Sequence, residues 1–297
     1  MCVERPMTKV VATAAALRRA LACSRVIDIG TADSFARAHI PGAVRSPVRG
    51  DLKGDAFSPL SPGEASALFA ALDLRQSQPV LVYDSGEALP SARLAWVLRY
   101  YGHPDVSVLC GGFGAYLRAR GLGRPGTAFC PAAGAALPPP PSALPPLLPS
   151  PQPALLAQRQ DVLAALAAGP GAGAQVLDAR SEGEYSGAAT HGLPRAGHIP
   201  GAISIPFTDC FAPSAPAARQ YRGRAAMRQL LQGRGVDLAR PTIVLCLAGV
   251  RASCLQNALH IAGASPGSSR LYDGSMAEWA LDPSLPMQQL AGTAGPQ

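Results

Sequence analysis

Charge and aromatic side chains are scarce in this sequence. Charged residues make up 15% and aromatic residues 5% of the 297 positions, and no stretch is rich in Lys and Arg. These absences argue against nucleic-acid binding, which uses a basic surface and, for single strands, aromatic platforms. The excess of 26 basic over 19 acidic residues still favours small anionic partners.

Closely spaced cysteines and long apolar runs are also missing. The sequence has seven cysteines, an odd number, and no two of them form a Cys-x-x-Cys pair. They stand at positions 2, 23, 110, 130, 210, 246 and 254. This spacing argues against a zinc site and a disulfide framework. No segment has the ~18 consecutive apolar residues that cross a bilayer, and no signal-peptide pattern follows the N-terminus. We therefore expect a soluble cytoplasmic protein that binds neither membrane nor nucleic acid.

Proline, in contrast, is concentrated in one place. It occupies ten of the 23 positions from 131 to 153. Because proline lacks a backbone N–H and has a fixed φ, this stretch predicts an extended linker rather than a helix or a central strand. A chain of this length also fits two domains. We predict domains over 1–130 and 154–297, joined by a linker over 131–153.

The same order of features occurs on both sides of that linker. A His-Ile-Pro-Gly-Ala segment starts at His39 and again at His198. Further along, Asp84 and Cys246 stand at the ends of equivalent apolar strands, at an offset of 162 positions. An internal duplication is the simplest explanation of this repeat.

Each copy alternates short apolar strands with helices. Ser61-Pro62-Gly63-Glu64 predicts the capped start of a helix, and residues 224–232 predict a helix that ends at Gly233. Short, fully apolar strands such as 241–245 are typical of parallel sheets covered on both faces. The sequence therefore predicts an α/β protein with two parallel sheets, each with helices on both faces. In such folds ligands bind at the carboxyl ends of the strands.

Cys246 is the residue on which the chemistry concentrates. It ends a strand, and the loop over 247–251 leads into a helix predicted over 252–262. Successive N–H groups in such a turn, the helix dipole and Arg251 together attract an anion and stabilise a thiolate. Gly249 would supply the positive φ that the turn requires. The alternative is a buried, inert cysteine, as we expect for the other six cysteines.

Several segments together resemble the successive signatures of the rhodanese family. In the second half they are Asp178-Ala179-Arg180, the segment 197–203, Cys246 to Arg251, and Leu271 to Ser275 with Glu278 and Trp279. The resemblance to the tandem-domain sulfurtransferases of this family covers nearly the whole chain outside the linker. It implies two rhodanese-like domains, of which the first is catalytically silent because Asp84 replaces the cysteine.

The resemblance also implies a reaction. A Cys246 persulfide would carry sulfur from a small anionic donor, thiosulfate or 3-mercaptopyruvate, to cyanide or a thiol, without a metal or an organic cofactor. Leu247 and Ala248 match neither the cationic loop typical of thiosulfate enzymes nor the Gly-Ser pair of mercaptopyruvate enzymes. Because Arg251 supplies a positive charge, we favour thiosulfate. We further expect a monomer.

Glu184 is the second departure from the family pattern, since the tandem enzymes have a donor-anchoring arginine there. A carboxylate that faced the donor would repel it, so another cation, Arg180, His191 or Arg195, would take over. Alternatively, Glu184 is a solvated surface residue. The candidate site residues are therefore the nucleophile Cys246 and the donor-binding residues Leu247, Ala248, Gly249, Val250, Arg251, Arg180 and Arg195.

Two other functions remain open on the sequence. One is a sulfur-carrier or binding module that holds a persulfide without turnover. The other is phosphatase chemistry, since related phosphatases use a cysteine loop that ends in arginine. Those loops have five residues between the cysteine and the arginine. The loop of this chain has four, which makes it too tight a cradle for phosphate.

Overall fold

The chain forms two compact units. The computed structural model describes residues 9–11, 13–48, 52–55, 57–121, 144–169, 171–213, 218–265 and 267–290. The first unit consists of Met1–Leu52, Leu60–Gln152 and Ala212–Tyr221, and the second of Lys53–Pro59, Pro153–Phe211 and Arg222–Gln297. Each unit therefore includes a short segment from the other half of the chain, which the predicted division did not contain.

The predicted linker, 131–153, lies partly outside the described residues, over 131–143. Its described residues up to Gln152 belong to the first unit. The backbone N–H of Ser150 donates to the Tyr101 carbonyl at 2.9 Å and that of Gln152 to the Tyr100 carbonyl at 2.7 Å. This end of the proline-rich stretch is therefore docked by backbone hydrogen bonds.

The first unit is built on a five-stranded parallel sheet in the order β1-β5-β4-β2-β3. Its strands are β1 (Lys9–Val11), β2 (Arg25–Asp28), β3 (Val44–Arg45), β4 (Val80–Tyr83) and β5 (Val106–Leu109). Its helices are α1 (Ala14–Cys23), α2 (Ala32–Arg37), α3 (Pro62–Ala71), α4 (Leu89–Tyr100) and α5 (Gly112–Ala119).

The second unit repeats this plan, with the strand order β6-β10-β9-β7-β8. Its strands are β6 (Leu156–Ala157), β7 (Gln175–Asp178), β8 (Ile203–Ser204), β9 (Thr242–Leu245) and β10 (Ser269–Tyr272). Its helices are α6 (Arg159–Ala168), α7 (Glu182–Ser186), α8 (Arg224–Gly233), α9 (Val250–Ala262) and α10 (Ser275–Trp279), with 3₁₀ turns at Pro153–Leu155 and Phe207–Cys210. The identical strand order confirms that both halves share one α/β plan, a parallel sheet flanked by helices.

Local sequence signals explain where the helices start. The Ser61 hydroxyl accepts the N–H of Glu64 while the Glu64 carboxylate accepts the N–H of Ser61, a complete capping box with proline at the first position of α3. The predicted start of this helix is thus confirmed. No helix in the described ranges is long and apolar enough to span a membrane.

Candidate active site

Cys246 lies at the carboxyl end of a central strand of the second unit. It follows β9, which is flanked by β10 and β7, and the neighbouring strand β7 ends at Asp178, opposite Leu245. The thiol is therefore at the edge of the sheet where ligands bind in parallel α/β folds. The residue is 1% exposed.

The turn after Cys246 is tighter than the sequence predicts. Gly249 has φ +81° and caps α9, which begins at Val250, two residues before the predicted start. A left-handed residue is needed here, and glycine adopts that conformation without steric cost. Val250 and Arg251 consequently form the first turn of the helix instead of the end of a loop.

The backbone of this turn is held from one side by α10. The carbonyls of Cys246 and Leu247 accept the N–H groups of Met276 and Ala277 at 3.1 and 2.9 Å. In a trans peptide the N–H points opposite to the preceding carbonyl, so the N–H groups of Leu247 and Ala248 point away from α10. Within the described part of the chain, the amides of residues 247–249 have no protein acceptor. These donors are left for a ligand.

Ser275 fixes the start of the turn and was missed by the sequence analysis. Its hydroxyl accepts the N–H of Cys246 at 3.2 Å and donates to the Tyr272 carbonyl at 2.6 Å. The side chain is fully buried. The repeat offered one signal for this residue. At the offset of 162 positions, Ser275 aligns with Phe113 of the first copy, which has no hydroxyl group. The hydroxyl thus occurs only in the copy that carries the cysteine.

The Cys246 sulfur itself receives no hydrogen bond from the turn in the part of the chain described. The predicted cradle therefore consists of unpaired amides beside the sulfur, together with the positive end of a 13-residue helix. Arg251 adds the nearest positive side chain of the turn. Burial lowers the pKa of Arg251, but the hydrogen bonds to Glu184 and the electrostatic interaction with the nearby Cys246 outweigh burial and raise this pKa above its ordinary value.

Glu184 is neither a solvated residue nor a carboxylate with its charge free to face a donor. Its side chain is 3% exposed and binds Arg251 in a two-pronged ion pair, with Nη1–Oε2 at 2.6 Å and Nη2–Oε1 at 2.7 Å. Burial raises the pKa of Glu184, but hydrogen bonds from Arg251 and Ser181 outweigh it and hold this pKa at about 2. The solvated reading of Glu184 from the sequence was wrong, because its ion-pair partner is 67 residues away in the chain.

The other two predicted donor-binding arginines are engaged in structural hydrogen bonds. Arg180 is 1% exposed, pairs with Asp178 at 2.7 Å and donates to the Gly197 carbonyl at 2.9 Å. Arg195 donates to the carbonyls of Trp279, Ala280, Asp282 and Leu285. The structure therefore brings Arg251 to Cys246 and leaves Arg180 and Arg195 tying loops together. His191 is exposed.

The profile of the rhodanese-like domain matches this chain twice, over residues 13–119 and 159–282. The chain belongs to the rhodanese family. This confirms the resemblance and the two rhodanese-like domains that it implied.

Rhodanese relatives cover most of the chain. Over 268 residues it is 28% identical to the 3-mercaptopyruvate sulfurtransferase of Escherichia coli K12, covering 88% of this chain and 87% of that protein. It is 31% identical over 267 residues to the putative thiosulfate sulfurtransferase SseB of Mycobacterium tuberculosis H37Rv, covering 88% and 86%. The crystal structure of the 3-mercaptopyruvate sulfotransferase SseA from E. coli matches with a TM-score of 0.68 and 26% identity, over 91% of this chain and 99% of that one. This protein is accordingly a sulfurtransferase of the rhodanese family.

The His-Ile-Pro-Gly histidines of both rhodanese units are structural. His198 Nδ1 lies 2.7 Å from the Tyr185 carbonyl and its ring stacks on Tyr185, and His39 makes the same contacts with Phe35. Each imidazole thus ties its turn to the preceding helix. Burial lowers the pKa of His198, which favours the neutral imidazole.

Asp84, the counterpart of Cys246 in the first rhodanese unit, binds its own loop. One carboxylate oxygen accepts the Gly86 N–H at 2.7 Å, and the other accepts the Ser91 hydroxyl at 2.6 Å and the Ser91 N–H at 3.2 Å. The side chain is 2% exposed. In this unit the chain itself supplies the anion that the loop amides hold.

The remaining cysteines differ from Cys246 in their surroundings. Cys210 and Cys254 are fully buried, and burial raises the pKa of the Cys210 thiol. Cys110 accepts the Tyr221 N–H at 3.2 Å, and Cys23 is exposed. Cys2 and Cys130 lie outside the described residues. Cys110 shares one feature with Cys246, because it lies between the end of β5 and Gly111, a left-handed glycine that caps α5. Burial, however, raises the pKa of the Cys110 thiol.

Proposed function

We propose that this protein transfers sulfane sulfur from a small anionic donor to cyanide or a thiol through a persulfide on Cys246. Thiosulfate is the favoured donor. The observation that carries the proposal is the site at the end of β9. It combines a thiol, amides that have no protein acceptor in the described residues, and Arg251 in the first turn of α9.

The proposed first half-reaction is a displacement at sulfur. The Cys246 thiolate attacks the outer sulfur of thiosulfate, a new S–S bond forms, and sulfite leaves with the electron pair of the old S–S bond. The enzyme then holds a persulfide anion. In the second half-reaction cyanide attacks the outer sulfur, thiocyanate leaves and the Cys246 thiolate is restored. Charge balances in both steps, so no oxidant, reductant, metal or organic cofactor enters.

The turn residues have separate proposed roles. The amides from Leu247 to Arg251 hold the negative charge of the sulfur and of the donor, as an oxyanion hole does. Gly249 shapes the turn, and Arg251 contributes positive charge. We assign Arg180 and Arg195 to holding the surrounding loops, because their guanidinium groups are bonded to protein acceptors.

Two variants of this proposal remain alternatives. Mercaptopyruvate could be the donor, as in the named E. coli relative. Its thiol sulfur would pass to Cys246, and its thiol proton to the carbon that becomes the methyl group of pyruvate.

The protein could also hold the persulfide for a partner without turnover. The 1% exposure of Cys246 favours this alternative over free exchange of the persulfide with solvent. The cytoplasmic location and the monomeric state belong to the same proposal.

The test measures thiocyanate formed from thiosulfate and cyanide, and the mass of the protein after donor treatment. We expect turnover and an adduct of about 32 Da, one sulfur atom, on wild type and on Cys23→Ser, which removes an exposed thiol. Cys246→Ser should show neither. An adduct without turnover supports the carrier. No adduct and no turnover with thiosulfate or mercaptopyruvate overturns the proposal.

A further inference from the structure

The ion pair between Glu184 and Arg251 changes the charge that a donor meets. Two nearly parallel contacts of 2.6 and 2.7 Å join the carboxylate to the guanidinium. The carboxylate is 3% exposed and the guanidinium side chain 20% exposed, so water screens this pair weakly. The positive charge of Arg251 is therefore largely cancelled before any donor arrives.

Glu184 is itself held rigidly. It is the third residue of α7, and its Oε2 atom accepts the Ser181 hydroxyl at 2.7 Å and the Ser181 N–H at 3.1 Å. The other buried carboxylate that acts on Arg251, Asp178, is bonded to Arg180. Arg251 is therefore held near Cys246 by a fixed carboxylate that also neutralises its charge.

We propose that Glu184 is a positioning and specificity-determining residue, which fixes Arg251 beside Cys246 and disfavours dianionic sulfur donors relative to monoanionic ones. The inference rests on the proposed function, and it reduces the advantage that the charge of Arg251 would otherwise give thiosulfate over a monoanionic donor. Thiosulfate carries two negative charges at neutral pH and 3-mercaptopyruvate carries one. The carboxylate therefore raises the KM for thiosulfate more than that for mercaptopyruvate.

The experiment removes the charge and keeps the shape. Glu184→Gln retains an oxygen that accepts from Arg251 or Ser181, so the guanidinium stays in place while its full charge faces the donor. We expect the ratio of kcat/KM for thiosulfate to that for mercaptopyruvate to rise about tenfold, the size expected from one unit charge several ångströms away in a protein. The change should appear in KM. Glu182→Gln is the matched control, since it makes the same substitution at an exposed position of the same helix and should leave the ratio unchanged.

A second variant separates positioning from charge. Glu184→Ala removes every hydrogen bond to Arg251, so kcat/KM should fall for both donors. An unchanged donor ratio in Glu184→Gln, in protein that still forms the Cys246 adduct, overturns this inference and leaves the proposed function standing. Absence of adduct and turnover in wild type is the different result that removes the proposed function.

Discussion

At the scale of single residues, the meaning of a side chain depends on its partner more than on its type. Glu184 stands where the family pattern expects an arginine, and in isolation this substitution suggests repulsion of the donor. Its contact with Arg251 shows that the glutamate at this position and the arginine of the turn form a pair. An arginine in the first turn of a helix is opposed by the helix dipole, and a buried carboxylate offsets that cost.

The first residue-scale prediction concerns pH. The pKa of Glu184 is about 2 in the folded protein against an ordinary value of 4.5. Because the folded pKa is lower, the ionised carboxylate stabilises the fold above pH 4.5, and this contribution is lost as the pH falls towards 2. It amounts to roughly 3 kcal/mol. The difference in free energy of unfolding between wild type and Glu184→Gln should therefore shrink over this range.

Urea unfolding at a series of acidic pH values measures that difference. Glu182→Gln should follow the wild-type curve throughout, because its side chain is exposed. If the gap between wild type and Glu184→Gln stays constant with pH, the ion pair does not stabilise the fold in the way described.

The second residue-scale prediction concerns Ser275. Ser275→Ala leaves the N–H of Cys246 and the carbonyl of Tyr272 without their partner, at a cost of about 1–3 kcal/mol. Because this N–H begins the turn that is proposed to hold the sulfur, we expect kcat/KM to fall about tenfold, as for loss of a group that preorganises an active site. Ser284→Ala removes an exposed hydroxyl bonded to Asp282 and serves as control. Equal activity of the two variants would contradict this role of Ser275.

At the scale of elements, the sheet order brings the site together. β7 and β9 are adjacent and parallel, with Asp178 opposite Leu245, so the helices that follow them, α7 and α9, begin side by side. Glu184 is the third residue of one helix and Arg251 the second of the other. If the strand order had been known, the opposite charges in the first turns of these two helices would have predicted the ion pair.

The sequence predicted the strands, the capped helices and the position of Cys246, because these follow from local patterns such as Ser61 to Glu64. It did not predict the pairing of Arg251, since that depends on which strands are neighbours. The start of α9 was placed two residues late, because Gly249 serves as the cap without a side chain to mark it.

The element-scale prediction tests the turn itself. Gly249→Ala forces a side chain into a left-handed residue, at a cost of about 1 kcal/mol or more, and shifts the amides beside Cys246. Gly235→Ala is the matched control, since Gly235 has φ +84° and no atom near an added methyl group. Both variants should lose similar stability in thermal unfolding, and only Gly249→Ala should lose activity. Loss of activity in both would mean that stability, and not the turn, is responsible.

At the scale of the whole molecule, one duplicated plan carries two different loops. Equivalent positions show how far the copies differ. After the strand, Asp84 replaces Cys246. Pro90, the second residue of α4, takes the place of Arg251, and Ser34, the third residue of α2, takes the place of Glu184. The first loop is also one residue longer between the strand and the helix cap. The strand order is the same in both copies, while the residues proposed to bind a donor occur in one copy.

The last prediction follows from this divergence. Placing the nucleophile in the first copy, as Asp84→Cys with Cys246→Ser, should give no thiocyanate above the level of Cys246→Ser alone. The new thiol would lack the arginine, the glutamate and the shorter turn, and the amide of Gly86 would be one donor without the rest of the cradle. Asp84→Cys with Cys246 intact should retain turnover, which shows that the altered chain folds. Turnover by the double variant would mean that a cysteine at the strand end is sufficient, and that neither Arg251 nor the geometry of its turn is needed for sulfur transfer.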